Sequence, residues 1–375
     1  MEKAEGTEMA MQNTRTVGVI IPVYNGEKWL KETIDSVFTQ PCKNLIAVVV
    51  NDGSTDRSED IVKKASKSFP NLFYIKQDNK GVSAARNAGI DFLLNSRGVQ
   101  YLSFLDADDI WVPGFYTDEL ESNIRSENKD VFQFSHYWSN NTMTRLKKHP
   151  ANTFDESSQE LNRYDRGFAS YFYNARLFRD YKIRFPEGMK VQEDVVFKYV
   201  ILTAAKTYRS SDKYMFIYRS NADSVLHKKI TKKDENNFLN SVIPCWDWAE
   251  QELTRLRLVD KDSITEEDIQ QCKVMKKTYA VDAITNLCGL GFSLPEIRKT
   301  ISDYQLIDMI ENDLYLDNKR KQTMDLFRKN PRRVMMTFRV KALGLRFARL
   351  LRNNPLIQHR RYPLLAEDVL WKESV

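Results

Sequence analysis

The sequence predicts an α/β fold: an open, mostly parallel sheet flanked by helices, followed by a helical C-terminal region. Short continuous apolar runs alternate with amphipathic segments between residues 17 and 105. An unbroken apolar run is typical of a strand buried on both faces, and strand–helix alternation at this spacing gives right-handed βαβ units. In addition, unusual polar residues follow the ends of the runs, where open parallel sheets bind their ligands.

The elements of this first half follow from periodicity and turn residues. The first run ends in Asn25-Gly26 and the second in Asn51-Asp52-Gly53. Ser54 and Thr55 are predicted to cap the next helix, because their hydroxyls can accept N–H bonds at a helix start. The prediction is strands at 17–23, 45–50, 72–75 and 101–105, and helices at 28–38, from Ser54-Thr55 to 67, and at 81–94.

Beyond Trp111 the alternation stops and helical patterns dominate. Residues 168–178 are aromatic and stay ambiguous between strand and helix. The prediction continues with strands at 131–137 and 215–219 and helices at 192–205, 233–258, 266–287 and 294–301. The expected organisation is a disordered tail at 1–14, an α/β domain at 15–230, a helical region at 231–327 and a basic amphipathic tail at 328–375.

The composition is that of an ordinary globular protein: 375 residues, 42% hydrophobic, 29% charged and a net charge of +6. Its four cysteines (Cys42, Cys245, Cys272 and Cys288) have neither metal-ligand nor redox spacing, which favours free thiols in a reducing compartment. Residues 1–15 lack the apolar segment of a secretory signal, and no apolar run is long enough to span a bilayer. We therefore expect a cytoplasmic protein.

Three carboxylates follow the strand predicted at 101–105: Asp106, Asp108 and Asp109. Because side chains alternate along an extended backbone, Asp106 and Asp108 lie on the same side. Two converging carboxylates repel each other unless a cation lies between them, and Mg²⁺ or Mn²⁺ prefers oxygen ligands and often bridges to phosphates. The sequence therefore predicts a metal–diphosphate site. The alternative is a helix start near Trp111–Pro113 that Asp108 or Asp109 would cap.

Four segments favour the metal site, because they resemble the successive signatures of family 2 glycosyltransferases in order and separation. They are Ile21–Asn25, Asn51–Asp56, Asn79–Asn87 and Leu105–Asp109, and the resemblance covers roughly residues 15–225. It implies a GT-A fold, a Rossmann-like sheet flanked by helices. It also implies transfer of a sugar from a nucleotide diphosphate donor, expected to be a UDP-sugar, with inversion and with Mn²⁺ or Mg²⁺ as cofactor.

The resemblance implies a donor site at the strand ends. Asp52 would accept the N3–H of uracil and Tyr24 would stack on the base; the alternatives are a turn carboxylate and a tyrosine packed on the sheet. Gly81 lets the backbone approach a ligand closely. Arg86 has a permanently charged guanidinium group that suits a diphosphate. The alternative for Arg86 is a surface arginine on the exposed face of a helix. The implied donor-binding residues are Pro22, Tyr24, Asn25, Asp52, Gly81, Arg86 and Asp106, and the implied metal ligands are Asp106, Asp108 and His227.

Sugar transfer also needs a base for the acceptor hydroxyl. The Phe185–Gly188 segment, followed by Glu193 and Asp194, resembles the family's late acidic motif. We predict that Asp194 is the base. A carboxylate pair that stabilises a helix start is the alternative. His227 lies where some GT-A enzymes supply a third metal ligand, and a structural histidine is an equal alternative.

Between Arg328 and Arg352 every charged residue is basic. Apolar and basic residues segregate there at helical spacing, which predicts a helix lying on an anionic membrane surface; a helix packed on the protein with a solvated basic face is the alternative. The apolar stripe is Met336, Val340, Leu343, Phe347 and Leu350, and the basic side is Arg339, Lys341, Arg346, Arg349 and Arg352. No feature resembles a nucleic-acid-binding module.

The expected partners are a nucleotide-sugar donor and a saccharide or lipid-linked acceptor, at the inner face of a cell membrane where surface polysaccharides are assembled. Two other functions stay open. A nucleotidyltransferase should carry a Gly-rich phosphate loop after the first strand, where this chain has Pro22–Gly26. A non-catalytic nucleotide-sugar-binding protein would be expected to have lost a catalytic carboxylate, yet Asp106, Asp108 and Asp194 are present. A nicotinamide dehydrogenase is excluded, because its Gly-x-Gly-x-x-Gly motif is absent.

Overall fold

In a computed structural model, the described residues are 16–96, 98–140, 143, 146–151, 167–189, 191–220, 232–289, 292–303 and 318–352. They divide into two compact units. The first contains the described residues up to Gly188 together with the stretch from Phe197 to 220; the second contains Met189–Val196 and the described residues from 232 to 352. The domain boundaries expected from the sequence stay a prediction, and the predicted tail at 1–14 lies outside the described residues.

The first unit contains a mixed sheet whose order is β3-β2-β1-β4-β8-β6-β9-β5, with β7 paired to β6. All neighbours among β3, β2, β1 and β4 are parallel. The strands are β1 (Val17–Val23), β2 (Leu45–Asp52), β3 (Leu72–Gln77), β4 (Tyr101–Phe104), β5 (Ile110–Trp111), β6 (Val131–Ser139), β7 (Leu146–His149), β8 (Tyr171–Asn174) and β9 (Tyr208–Arg219).

The parallel half forms as the sequence predicts. Every residue of β1, β2 and β4 is buried, which is why their sequences are continuous apolar runs. Val17 is the register partner of both Leu45 in β2 and Tyr101 in β4, so the carboxyl ends of these strands meet at one edge of the sheet.

The other half is mixed, and periodicity did not predict its pairing. β8 is antiparallel to both β4 and β6, whereas β6 and β9 are parallel. The strand predicted at 215–219 is the end of the longer β9, whose first half is only partly buried and therefore lacks an apolar pattern. The ambiguous aromatic segment contains a single 3₁₀ turn at Phe168–Ser170, then β8, then a short helix.

Six α-helices lie among the described residues between 16 and 204. They are α1 (Leu30–Phe38), α2 (Ser58–Ala65), α3 (Val82–Ser96), α4 (Asp118–Glu127), α5 (Ala175–Asp180) and α6 (Glu193–Ala204). The alternative of a helix start near Trp111–Pro113 is wrong, because Ile110–Trp111 pairs with β9 and the next helix begins after Thr117, whose side chain accepts from Leu120 N at 3.2 Å.

The second unit is helical, as predicted. Its described helices are α7 (Lys232–Val259), α8 (Glu266–Gly289), α9 (Leu294–Asp303), α10 (Asn318–Lys329) and α11 (Pro331–Arg352), and α8 packs against both α7 and α11. All four cysteines of the chain are free and buried, which confirms the expectation of free thiols. None of the described helices combines the length and hydrophobicity that crossing a bilayer requires.

The predicted apolar stripe of the C-terminal helix is not the face that packs on the protein. Val334 and Met335 are buried, whereas Met336 and Val340 are 67% and 64% exposed. Arg339, predicted on the solvated side, is half-buried and donates to the carbonyl oxygen of Phe292 at 3.0 Å. The first two positions of the stripe are therefore open to a partner.

Candidate active site

The parallel strands deliver three of the predicted residues to one edge of the sheet. Asp52 is the last residue of β2, Tyr24 follows β1, and Asp106 follows β4 after Leu105. Pro22 lies within β1, opposite Val50. This edge is where open parallel sheets bind ligands.

The Asp52 carboxylate is buried and anchors the loop that precedes α3. Its Oδ1 accepts from Gln77 Nε2 and from Lys80 N, and its Oδ2 accepts from Gly81 N, all at 2.8 Å. Gly81 has φ +92°, a backbone conformation that other residues rarely adopt. Asp52 therefore fixes the loop before α3, and three of the roughly four lone-pair positions of a carboxylate are in use.

Hydrogen bonds between main chain and side chains join the loop after β1 to the loop after β2. Asn25 N donates to Ser54 Oγ and Thr55 N donates to Asn25 Oδ1, both at 2.9 Å. The prediction that Ser54 and Thr55 cap the next helix is therefore wrong; the Asp56 carboxylate instead accepts from Ser58 N, the first residue of α2, at 3.0 Å. The Tyr24 side chain is 55% exposed, so the alternative of a tyrosine packed on the sheet is wrong.

Arg86 is buried and binds the acidic turn, defined as residues 106–109. Its Nη2 lies 3.0 Å from Asp106 Oδ1, and its guanidinium carbon lies 4.4 Å from the centroid of the Phe168 ring. The alternative of an exposed helix arginine is wrong, since Arg86 is 3% exposed. A guanidinium cannot deprotonate in a protein, so the edge of the sheet carries a fixed positive charge beside Asp106.

The three carboxylates of the acidic turn have different surroundings. The Asp106 side chain is 38% exposed and Asp108 is partly buried, whereas Asp109 is 2% exposed. Burial raises the pKa of Asp109 well above its usual range, and the charges of Asp108 and Asp106 raise it further. The turn is thus a region of negative potential in which two carboxylates remain accessible.

The donor atoms of the turn fit a hard divalent cation. Asp106 Oδ2 and the Asp108 carboxylate are oxygen donors from one turn, and Mg²⁺ in particular is usually held by one or two carboxylates with waters and substrate phosphates completing its shell. Within the described residues no group of three or more His, Cys, Asp or Glu could hold a metal ion by itself. His227, the predicted third ligand, lies outside the described residues.

Arg219 is part of this site, and the sequence analysis did not predict it. It is 2% exposed at the end of β9, its N donates to Asp109 Oδ1 and its Nε donates to Asp108 O, both at 2.8 Å. Its Nη2 lies 2.7 Å from Glu32 Oε2. Arg219 and Glu32 are 187 positions apart, so no local pattern indicates that they meet.

The segment before the predicted base is fixed by α3. Asn87 Nδ2 donates to Phe185 O at 3.0 Å and to Glu187 Oε1 at 2.9 Å, and Asn87 Oδ1 accepts from Phe185 N at 2.8 Å. Asn87, the last residue of the Asn79–Asn87 segment, therefore holds the Phe185 backbone and the Glu187 side chain in place.

Glu193 and Asp194 form the first turn of α6, as predicted. Asp194 Oδ1 accepts from Val195 N at 2.9 Å. Three residues after Asp194, the Phe197 ring stacks on the Phe185 ring with centroids 3.6 Å apart.

Burial raises the pKa of Cys245 to about 12, with a further contribution from the charges of Glu193 and Asp194, so this thiol is not a nucleophile at neutral pH.

Known protein families and curated proteins are similar to the part of the chain that contains this site. The family model "Glycosyl transferase family 2" matches residues 18–185. Glycosyltransferase GlyA of Streptococcus pneumoniae is 34% identical over 219 residues, which is 54% of this chain and 30% of GlyA. The minor teichoic acid biosynthesis protein GgaB of Bacillus subtilis is 29% identical over 233 residues, or 60% of this chain and 25% of GgaB. The chain thus spans about a quarter to a third of the length of these two curated relatives.

Solved structures match a larger share of the chain. S. aureus TarS 1–349 in complex with UDP-GlcNAc aligns with a TM-score of 0.61 at 18% identity, over 89% of this chain and 92% of that one. The complex of the same protein with UDP aligns with a TM-score of 0.59. The described sheet and helices accordingly have the GT-A fold that the sequence predicted.

We predict that Asp52→Asn loosens the loop before α3. An amide presents one oxygen and one NH₂ group where three donors now point at two oxygens, so at least one donor loses its acceptor. The free energy of local opening, measured by hydrogen exchange at the Gly81 amide, should fall by about 1–3 kcal/mol.

Gln77→Met is the matched control, because it removes the side-chain donor and leaves both backbone donors bound to Asp52. Gly81 should stay protected in this variant. Unchanged exchange in Asp52→Asn would show that the carboxylate does not hold the loop.

Proposed function

The chain belongs to glycosyltransferase family 2, and we propose that it transfers a sugar from a UDP-sugar to an acceptor hydroxyl, with inversion at the anomeric carbon and with Mn²⁺ or Mg²⁺. One observation carries this proposal: a buried, permanently charged Arg86 binds one of two accessible carboxylates in the turn after β4. This arrangement offers both a guanidinium and oxygen ligands for a cation, the two groups that stabilise a diphosphate leaving group.

The nucleoside would bind between the loops after β1 and β2. Tyr24 offers an exposed ring for stacking, and Asp52, whose carboxylate accepts from Gly81 N, would also accept the N3–H of uracil. Pro22, Asn25 and Gly81 would contribute to the same donor site. The complexes of TarS with UDP and UDP-GlcNAc support a uridine donor.

Asp106 and Asp108 would hold the cation, and His227 is retained as a proposed further ligand. The bound metal would act as a Lewis acid that stabilises the departing diphosphate. Asp106 would keep its Oδ1 on Arg86 and direct its other oxygen to the metal.

Asp194 is our proposed base, which would remove the proton of the acceptor hydroxyl as it attacks the anomeric carbon from the side opposite the diphosphate. It lies in the first turn of α6, where negatively charged side chains interact favourably with the helix dipole. Its position after the fixed Phe185–Gly188 segment supports the same role.

The acceptor would be a growing cell-surface polymer, saccharide or lipid-linked, at the inner face of the membrane. Similarity to the teichoic acid biosynthesis protein GgaB supports this class of acceptor. The exposed Met336 and Val340 on the basic helix α11 support contact with anionic lipid.

We expect UDP-sugar hydrolysis and transfer to require a divalent metal and Asp108. Asp108→Asn keeps the size of the side chain but removes its charge, so it should abolish most metal-dependent turnover. A screen of UDP-, GDP- and dTDP-sugars with Mn²⁺ or with EDTA measures both effects, and Asp60→Asn on the exposed side of α2 is the control.

Full activity in EDTA would refute the role of the metal. Binding of UDP-sugars without turnover by any acceptor would instead favour a nucleotide-sugar-binding protein, and release of pyrophosphate from a nucleoside triphosphate would favour a nucleotidyltransferase.

We expect Asp194→Asn to lower transfer by about 10²–10⁴-fold, the usual contribution of a general base. UDP binding should stay nearly unchanged, because the proposed nucleotide contacts lie elsewhere. Initial rates and calorimetric titration of UDP measure the two quantities. Glu193→Gln is the matched control in the same turn.

If Asp194→Asn loses UDP binding and thermal stability together, Asp194 is a structural cap. If it retains transfer while Glu193→Gln does not, Glu193 is the base.

We expect the double substitution Met336→Ser/Val340→Ser to weaken binding to anionic vesicles, because it removes exposed apolar area from a basic helix. Binding of the native protein should also fall with salt, since each basic residue near the surface contributes about 1 kcal/mol. Vesicle flotation measures both.

Leu258→Ser/Val259→Ser is the matched control, because these two residues at the end of α7 are 79% and 65% exposed. Equal flotation of the native chain and both variants would show that α11 is not the membrane contact.

A further inference from the structure

We infer that Arg219 is a positioning residue that fixes Asp106 and Asp108 for metal binding, by binding the main chain of the acidic turn from β9. The inference rests on the proposed function, because it concerns the same metal site. The partners of Arg219 include the carbonyl oxygen of Asp108, the carboxylate of Asp109 and the carboxylate of Glu32.

The contacts of Arg219 hold the turn at two successive residues. The backbone N of Arg219 donates to Asp109 Oδ1, and its side-chain Nε donates to Asp108 O. Within the turn, Asp109 N donates to Asp106 O at 3.0 Å. The peptide group that joins Asp108 to Asp109 is therefore fixed through the carbonyl on one side and through Asp109 on the other, which sets the direction in which the Asp108 side chain leaves the backbone.

The guanidinium is itself held in one orientation. Glu32 accepts from Nη2 at 2.7 Å, and the guanidinium carbon lies 3.9 Å from the centroid of the Trp29 ring. Both partners come from the start of α1, so the acidic turn, β9 and α1 meet at one side chain. A stacked, ion-paired arginine loses little freedom when it binds a carbonyl group.

The charge distribution explains why such a residue is needed. Asp106 and Asp108 repel each other, and a turn free to relax would separate them. Arg219 opposes this relaxation with a fixed contact to the carbonyl oxygen between Asp108 and Asp109, and it brings a buried positive charge to the turn. A metal then binds a pair that is already in place, and groups that orient metal ligands typically contribute 10–100-fold to metal affinity.

Arginine is required for this role because Nε and Nη2 bind different partners. Lysine keeps the charge and the backbone contact to Asp109, but one ammonium cannot reproduce a planar fork that reaches both Asp108 O and Glu32. Arg219→Lys therefore isolates the positioning contact. Glu32→Gln keeps an oxygen acceptor for Nη2 and removes only the charge.

The test is a calorimetric titration of Mn²⁺ into protein saturated with UDP, with a parallel titration of UDP in EDTA. We expect Arg219→Lys to raise the Mn²⁺ dissociation constant about 10–100-fold while UDP binding in EDTA and Tm stay near the native values. Glu32→Gln should shift the Mn²⁺ constant less, in the same direction. Arg125→Lys is the matched control: Arg125 also binds a carboxylate, Glu121, but lies on α4.

Native-like Mn²⁺ affinity in Arg219→Lys would overturn the inference and leave the proposed function standing. Parallel losses of Tm and of UDP binding in EDTA would also overturn it, because they would show that Arg219 stabilises the fold in general. If Arg219→Lys fails to fold, the Mn²⁺ dissociation constant of Glu32→Gln decides, and an unchanged value overturns the inference. If the native protein shows no effect of Mn²⁺ on UDP binding, the proposed metal site itself is wrong.

Discussion

The placing of three aspartates in one turn, two of them accessible and mutually repelling, is the constraint on which the rest of the site depends. Asp106, Asp108 and Asp109 follow one another after β4, and one of them is fully buried. Two buried arginines offset this repulsion from distant parts of the chain: Arg86 binds the carboxylate of Asp106, and Arg219 binds the carbonyl oxygen of Asp108 and the side chain of Asp109. The turn therefore keeps two carboxylates accessible without separating them.

Helix α3 links the two ends of the proposed donor site. Asp52 binds the amide of Gly81, directly before the helix, and Arg86 binds Asp106 one turn into it. Asn87 then fixes the Phe185–Gly188 segment that precedes α6. Because a helix is stiff, the spacing between the Asp52 carboxylate and the acidic turn is set by successive residues of one element, a suitable arrangement for a ligand that has a base at one end and a diphosphate at the other.

Local patterns predicted the parts of the structure whose cause is local. The continuous apolar runs of β1, β2 and β4 are buried throughout, and α7, α8 and α9 begin and end within a few residues of the predicted positions, whereas α10 was not predicted. The predicted cap at Ser54 and Thr55 was wrong, because those groups bind Asn25 and its loop across 29 and 30 positions of sequence. Helix-capping propensity indicates that a serine or threonine hydroxyl can accept a hydrogen bond, but contacts with distant residues decide which N–H group it binds.

The sequence by itself determined the α/β class, the parallel half of the sheet and the placing of Tyr24, Asp52 and Asp106 at the strand ends, because hydrophobic periodicity and strand direction are properties of consecutive residues. It also indicated Arg86 through a motif. Only the tertiary structure decided that Arg86 is buried against the acidic turn, that the second half of the sheet is mixed, and that Arg219 reaches Glu32. These arrangements depend on which strands become neighbours, and that choice follows from the burial of the whole core rather than from any segment of the chain.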